Sequence, residues 1–289
     1  MCDEKTTNDI NEHLRNSDAL TRRQFGAVSI GAGLAMLLPR TANAQAVTEM
    51  DLDITTPDGV ADCYFAHPSS GAHPGVLIWP DAFGLRPAFR QMGKRLAESG
   101  YSVLVVNQYY RSQRAPIVST TNFAEERDTL MPLMGSLNPD TQTRDAMAFV
   151  SFLDDQPAVD QSRKIGTMGY CMGGPFTMRT AAALPDRIGA GASFHGGGLV
   201  TDQTDSPHLL VPKMKAHYLF AIAQNDDENQ PEAKDVLRTV FAQAGLPAEI
   251  EVYAEAMHGW CPPDSTVYQE ASAERAWSRL LALFESALA

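Results

Sequence analysis

The stretch Lys164-Ile165-Gly166-Thr167-Met168-Gly169-Tyr170-Cys171-Met172-Gly173-Gly174 decides the fold of this 289-residue chain. An apolar run leads into a G-x-C-x-G pentapeptide, and a helix-like run from Phe176 to Leu184 follows. A strand that turns into a helix over so few residues brings its backbone segments too close together for ordinary side chains. Glycine gives the room and tolerates the strained φ/ψ of such a turn. The apex presents the Cys171 thiol at a helix N-terminus, where unsatisfied N–H groups and the helix dipole favour a thiolate. The spacing therefore predicts a strand, a sharp turn carrying a nucleophile, and a helix.

On either side, apolar runs alternate with helical patterns. Asp51–Thr55 and Ala61–Ala66 read as strands joined by the turn Thr56-Pro57-Asp58-Gly59, and their polar alternation suits an antiparallel edge hairpin. Gly75–Trp79 and Tyr101–Val106 are near-continuous apolar runs, as expected of strands covered on both faces. Ala88–Ser99 is amphipathic, and Gly100 follows as a stop signal. Asp140–Asp154 reads as a helix, Ile188–Phe194, Ala216–Ile222 and Ala248–Tyr253 as strands, and Pro231–Ala244 and Ser272–Leu288 as helices. This order implies a mostly parallel central sheet with helices on both faces. With a nucleophile turn at its centre, the class is α/β and the fold an α/β-hydrolase. Tyr110–Asn138 is the least regular stretch and reads as a lid or substrate loop.

A thiol nucleophile needs a base within hydrogen-bond reach and a third group to orient it. In this fold the order is nucleophile, acid, histidine. Asp226 follows the apolar run Leu219–Ala223, in an Asn-Asp turn, and is the expected acid; Asp227 and Glu228 beside it offer the same chemistry. His258 follows the last strand and is the expected base. His195-Gly196-Gly197-Gly198 mimics an oxyanion-hole motif of lipases, but that motif belongs before the nucleophile, so the segment reads instead as a loop at the sheet's C-terminal edge, lining the pocket. The oxyanion hole is expected from the backbone N–H of Met172 and of Ala82, the latter in the loop Pro80-Asp81-Ala82-Phe83-Gly84-Leu85. Asp81 would place a carboxylate near the thiol, or cap the turn.

Composition narrows the partners. The net charge of −12 and the lack of a basic run argue against nucleic acid. Residues 1–44 read as a removable export signal. Thr21-Arg22-Arg23-Gln24-Phe25 resembles a twin-arginine motif, Phe25–Leu38 is mildly apolar, and Ala42-Asn43-Ala44 reads as a cleavage site. The apolar run is 14 residues long, against about 20 for a membrane span, so no stable membrane anchor is expected. The expected localisation is periplasmic or secreted, with the twin-arginine translocase as a transient partner. Residues 45–289 form the catalytic domain and retain Cys63, Cys171 and Cys261. That odd count leaves a free thiol, and a Cys63–Cys261 disulfide is one option for the others. No Cys/His cluster has metal-ligand spacing.

Five segments carry a resemblance to the dienelactone hydrolase family: Trp79–Leu85, Tyr109-Tyr110-Arg111, Gly169–Gly174, Asn225-Asp226 and His258-Gly259-Trp260. They occur in the family's order across nearly the whole of residues 45–289. The resemblance implies a Cys171–Asp226–His258 triad, a small ester or lactone substrate, an acyl-thioester on the cysteine, and no metal or organic cofactor. It also implies a role for Asp81, where well-known members carry a glutamate that helps activate the cysteine; aspartate is one methylene shorter. An arginine that holds the substrate carboxylate in those members is replaced here by Pro262, and Arg111, Arg127 and Trp260 are the candidates for substrate contact. Acyl transfer or thioester hydrolysis by the same triad is the nearest alternative. A thiol redox or ligand-binding protein is the more distant one and would leave Asp226 and His258 without a use.

Overall fold

A computed structural model describes residues 4–21, 38–39 and 44–289. Its centre is an eight-stranded sheet in the order β1-β2-β4-β3-β5-β6-β7-β8. The strands are β1 (Val47–Thr56), β2 (Gly59–Pro68), β3 (Gly75–Trp79), β4 (Ser102–Val106), β5 (Ile165–Tyr170), β6 (Ile188–Phe194), β7 (His217–Ala223) and β8 (Ala248–Tyr253). β1 and β2 form the expected antiparallel hairpin, and β2 joins β4 antiparallel. All other pairings are parallel.

The continuous apolar runs are explained by the two-residue period of a strand covered on both faces. In β3 and β4, Leu77, Trp79, Leu104 and Val106 enter one core layer, while Val76, Ile78, Val103 and Val105 enter the other. The first layer is closed by α4 (Pro139–Asp154), α5 (Gly173–Ala183) and α7 (Ala233–Ala244), through Phe149, Met178 and Phe241. The second is closed by α2 (Pro87–Glu98) and α8 (Glu270–Ala287), through Phe89, Leu96, Leu280 and Phe284. Each such side chain contributes roughly 1.5–3 kcal/mol on burial. α7 ends where Gly245 takes φ 67°, the left-handed cap that glycine adopts without strain.

Three expectations are corrected. Tyr110–Asn138 is not irregular throughout, because α3 (Phe123–Ser136) occupies its second half. Asn122 caps that helix by accepting from Ala124 N at 3.1 Å, and Glu125 and Glu126 fill its first turn. Asp226 lies not in an open turn but in the short helix α6 (Gln224–Asn229). Cys63 and Cys261 are free thiols; they belong to the core layers on opposite faces of the sheet, which rules out a bridge in this fold.

Within the segment read as an export signal, α1 (Glu4–Thr21) is helical. Arg22-Arg23, most of the apolar run, and Ala42-Asn43 lie outside the described residues. Among the described residues no helix is long and apolar enough to cross a membrane.

Candidate active site

The turn between β5 and α5 is tight enough to dictate its sequence. A Cβ on Gly169 would lie 2.1 Å from the Gly173 carbonyl oxygen, and one on Gly173 would lie 2.4 Å from the Trp79 oxygen. Neither can be accommodated without moving backbone. Cys171 sits at the apex with φ 52°, a region non-glycine residues rarely occupy and one that clusters at functional sites. Two backbone bonds hold it there: Cys171 N donates to Phe194 O and Gly174 N to Cys171 O, both at 3.0 Å.

The other two predicted triad members converge on Cys171. Both Asp226 carboxylate oxygens lie 2.9 Å from His258 Nδ1. Asn225, one residue earlier, accepts from His258 N at 2.8 Å, so adjacent residues of α6 fix both the backbone and the ring of the histidine. Gly259 follows with φ 98° and turns the chain away. His258 is hydrogen-bonded to Cys171. Burial opposes a charge on its ring, but Asp226 and the Cys171 thiolate outweigh that and raise its pKa to about 10. The arrangement favours an imidazolium–thiolate pair. Asp227, the alternative acid, is instead ion-paired with Lys234 at 2.5 Å.

Met172 caps the N-terminus of α5, and Ala82 is buried in the pocket wall. The Tyr109 hydroxyl lies 3.0 Å from both the Ala82 carbonyl oxygen and the Met172 sulfur. It ties together the two segments expected to supply the oxyanion hole.

Asp81 shares the pocket with Cys171, but its carboxylate is heavily engaged. Arg86 binds it through two nitrogens, at 2.7 and 3.0 Å, and it accepts from Phe83 N at 2.9 Å. Arg86 also reaches Asp264 at 2.7 and 3.0 Å. Burial pushes the Asp81 carboxyl upward against the pull of Arg86, and the negative charge of Cys171 pushes the same way. The two sequence readings of Asp81, turn cap and neighbour of the thiol, therefore coexist.

The candidate substrate contacts fare differently. Arg111 does not line the pocket; it pairs with Asp58 at 2.6 Å and with the buried Asp145 at 2.7 Å. Arg127, on α3, lines a separate apolar groove of about 460 Å³ that also holds Met172 and Phe176. Trp260 is fully buried behind the site, packed between Tyr253 and His195.

The pocket above Cys171 encloses about 130 Å³. Phe83, Arg86, His195 and His258 line it, together with Thr6, Thr7, Ile10, Asn11 and Leu14 of α1. α1 is also tied to α6 through Asp9 and Asn229, 3.3 Å apart. Sequence reasoning missed Arg86, Asp264 and the α1 wall, and gave Tyr109 and Asn225 no role of their own. Only Asn225 had a signal, its place beside the acid at a strand end. Among the described residues no His/Cys/Asp/Glu group could hold a metal ion.

With this geometry in view, the relatives are informative. Residues 61–288 match the dienelactone hydrolase family. The chain is 28% identical over 274 residues to a putative carboxymethylenebutenolidase of Methylorubrum extorquens, covering 90% of this chain and 91% of that one. It is 26% identical over 228 residues to a carboxymethylenebutenolidase of Rhodococcus opacus, covering 76% and 85%. Among solved structures, a putative dienelactone hydrolase from Klebsiella pneumoniae superposes with a TM-score of 0.73 at 22% identity, over 83% of this chain and 99% of that one. A dienelactone hydrolase-like promiscuous phosphotriesterase from metagenomic libraries gives 0.70 at 23%, over 84% and 100%. The fold is thus that of an α/β-hydrolase, and the chain belongs to the dienelactone hydrolase family as a carboxymethylenebutenolidase-like hydrolase.

Proposed function

We propose that the protein hydrolyses a small ester or lactone through an acyl-thioester on Cys171. The observation that carries this reading is the His258 ring, held by Asp226 at 2.9 Å and hydrogen-bonded to Cys171 at the floor of a pocket. The thiolate attacks the carbonyl carbon, and the oxyanion is received by the backbone N–H groups of Met172 and Ala82. The imidazolium of His258 protonates the departing alkoxide as the tetrahedral intermediate collapses to the thioester. His258, now neutral, takes a proton from water, whose oxygen attacks the thioester; the acid leaves and the thiolate returns. Asp226 orients the ring and stabilises its charged form.

Arg86 is the one arginine or lysine among the described residues that line the pocket, and two carboxylates already engage it. That favours an uncharged substrate over a carboxylate-bearing one such as dienelactone. Hydrolysis of an ester and lactone panel, with Cys171→Ala as control, tests the function. An acyl adduct on Cys171 in the intact-protein mass spectrum is the expected result; full activity of Cys171→Ala overturns the assignment. Product analysis with an added alcohol separates hydrolysis from acyl transfer.

The proposal extends to export by the twin-arginine route with removal of residues 1–44, supported by Arg22-Arg23, the apolar run and Ala42-Asn43-Ala44. Changing both arginines to lysine is expected to hold the precursor in the cytosol; undiminished delivery to the periplasm sinks this part.

A further inference from the structure

His195 directly follows β6, lines the pocket and takes no part in the steps above. It is 1% exposed, and neither of its ring nitrogens has a hydrogen-bond partner among the described residues. Its φ of 40° is uncommon for a residue other than glycine. The contacts that hold it are identifiable. Its N–H donates to Ala221 O at 2.8 Å, Trp260 packs on its ring with centroids 5.2 Å apart, and the His258 ring lies edge-on at 5.0 Å. Phe194, the preceding residue, accepts from Cys171 N, so the ring is anchored beside the nucleophile. Burial and the neighbouring His258 charge depress its pKa to about 3. The ring is then neutral at working pH, with one donor and one acceptor. A buried polar group left unsatisfied costs about 1–3 kcal/mol, so strain plus two unpaired nitrogens is a poor arrangement for packing alone.

We propose that His195 is a specificity-determining residue that hydrogen-bonds an uncharged oxygen substituent, a hydroxyl foremost, next to the scissile bond of the substrate. The proposal rests on the hydrolytic reading and narrows its substrate class to neutral, oxygenated esters and lactones. A neutral ring offers a hydroxyl both a donor and an acceptor, and offers a carboxylate no countercharge.

Two isosteric pairs test it in the full chain: ethyl 2-hydroxybutanoate against ethyl 2-methylbutanoate, and 2-hydroxyethyl butanoate against propyl butanoate. The wild type is expected to favour the hydroxylated member of at least one pair by about tenfold or more in kcat/KM. His195→Phe should bring that ratio to about one, whatever it does to the turnover of the methyl member; His195→Gln, which keeps a donor and an acceptor, should restore part of it. A wild type without preference in either pair overturns the proposal. So does a His195→Phe variant that keeps the preference, or one that lowers both members of a pair equally. If the wild type hydrolyses neither these four esters nor any member of the ester and lactone panel, the hydrolytic reading fails. Where the four are not turned over, protection of Cys171 from iodoacetamide by the same compounds reads recognition without turnover, and equal protection within both pairs overturns the role of His195.

Discussion

The two sides of Cys171 are built in different ways. On the triad side, each residue of the proposed triad stands at the C-terminal end of a parallel strand: Cys171 after β5, Asp226 after β7, His258 in the loop following β8. Their convergence follows from the topology of the sheet. On the opposite side, the wall is held by Asp81, Arg86 and Asp264, and the last two are 178 positions apart in the chain. No strand end places Asp264; a buried guanidinium does. The first construction leaves a sequence signature of order and spacing. The second leaves none, because which carboxylate finds the cation is decided only once the chain is packed.

The contrast is broken most severely at the nucleophile. Cys171→Ala is expected to lower kcat/KM for ester hydrolysis by about 10⁴-fold or more, with the melting temperature little changed. A comparable melting temperature with retained activity would remove the triad side from the chemistry.

Asp226→Asn comes next, with an expected loss on the order of 10²–10⁴-fold in kcat. It also carries a pH signature. The His258 pKa of about 10 keeps the imidazolium available for leaving-group protonation below that pH, so the wild-type acylation rate should fall on the alkaline side of about 10. Asn at 226 should move that limb to lower pH. The raised pKa also contributes stability, fully present below the ordinary histidine value of 6.5 and lost as pH rises through about 10. Urea melts across that range, on wild type and Asp226→Asn, check the sign.

The wall should respond in stability before it responds in rate. Arg86→Met strands the buried Asp81 carboxylate and is expected to cost about 3–5 kcal/mol in urea unfolding. Asp81→Asn should cost less, since Asn retains the bond to Phe83 N. Removing that charge should also ease ionisation of Cys171, shifting the pH profile of its alkylation downward while turnover declines. An Asp81→Asn protein that matches wild type in both measurements leaves Asp81 with only its capping role.

The smallest catalytic effect is expected at Arg111. Arg111→Ala should change kcat/KM by less than about twofold and lower stability by about 1–3 kcal/mol, because the buried Asp145 keeps only its Tyr110 hydrogen bond. A large rise in KM would restore Arg111 as a substrate contact.

The same division explains what the sequence made legible. Period-two burial, β-α alternation and the glycines at 169 and 173 announced the sheet and its turn, because each is a local demand of backbone geometry. α3 escaped notice because it contains Pro132 and buries only Leu130, so no apolar stripe marks it. α6 reads Gln-Asn-Asp-Asp-Glu-Asn, a polar run that looks like a loop. The disulfide option for Cys63 and Cys261 arose from counting alone; only the sheet between them excludes it. Arg111 reads as a substrate contact in the sequence because its partner, the buried Asp145, lies 34 positions away.

α1 lends five residues to the pocket wall while belonging to the same chain as the nucleophile. A ligand carried on the same chain acts at an effective concentration that does not change with dilution. Any separate molecule that needs the same room competes with it at that concentration, however dilute the protein. Were the chain cut after Ala44, as proposed, the contact would become bimolecular, and at micromolar protein mass action would release the helix unless its affinity were itself micromolar or better. The pocket of the intact chain and that of the cut chain are therefore two binding sites with one catalytic floor. The difference between them should register in KM for bulky esters and leave kcat for small ones untouched.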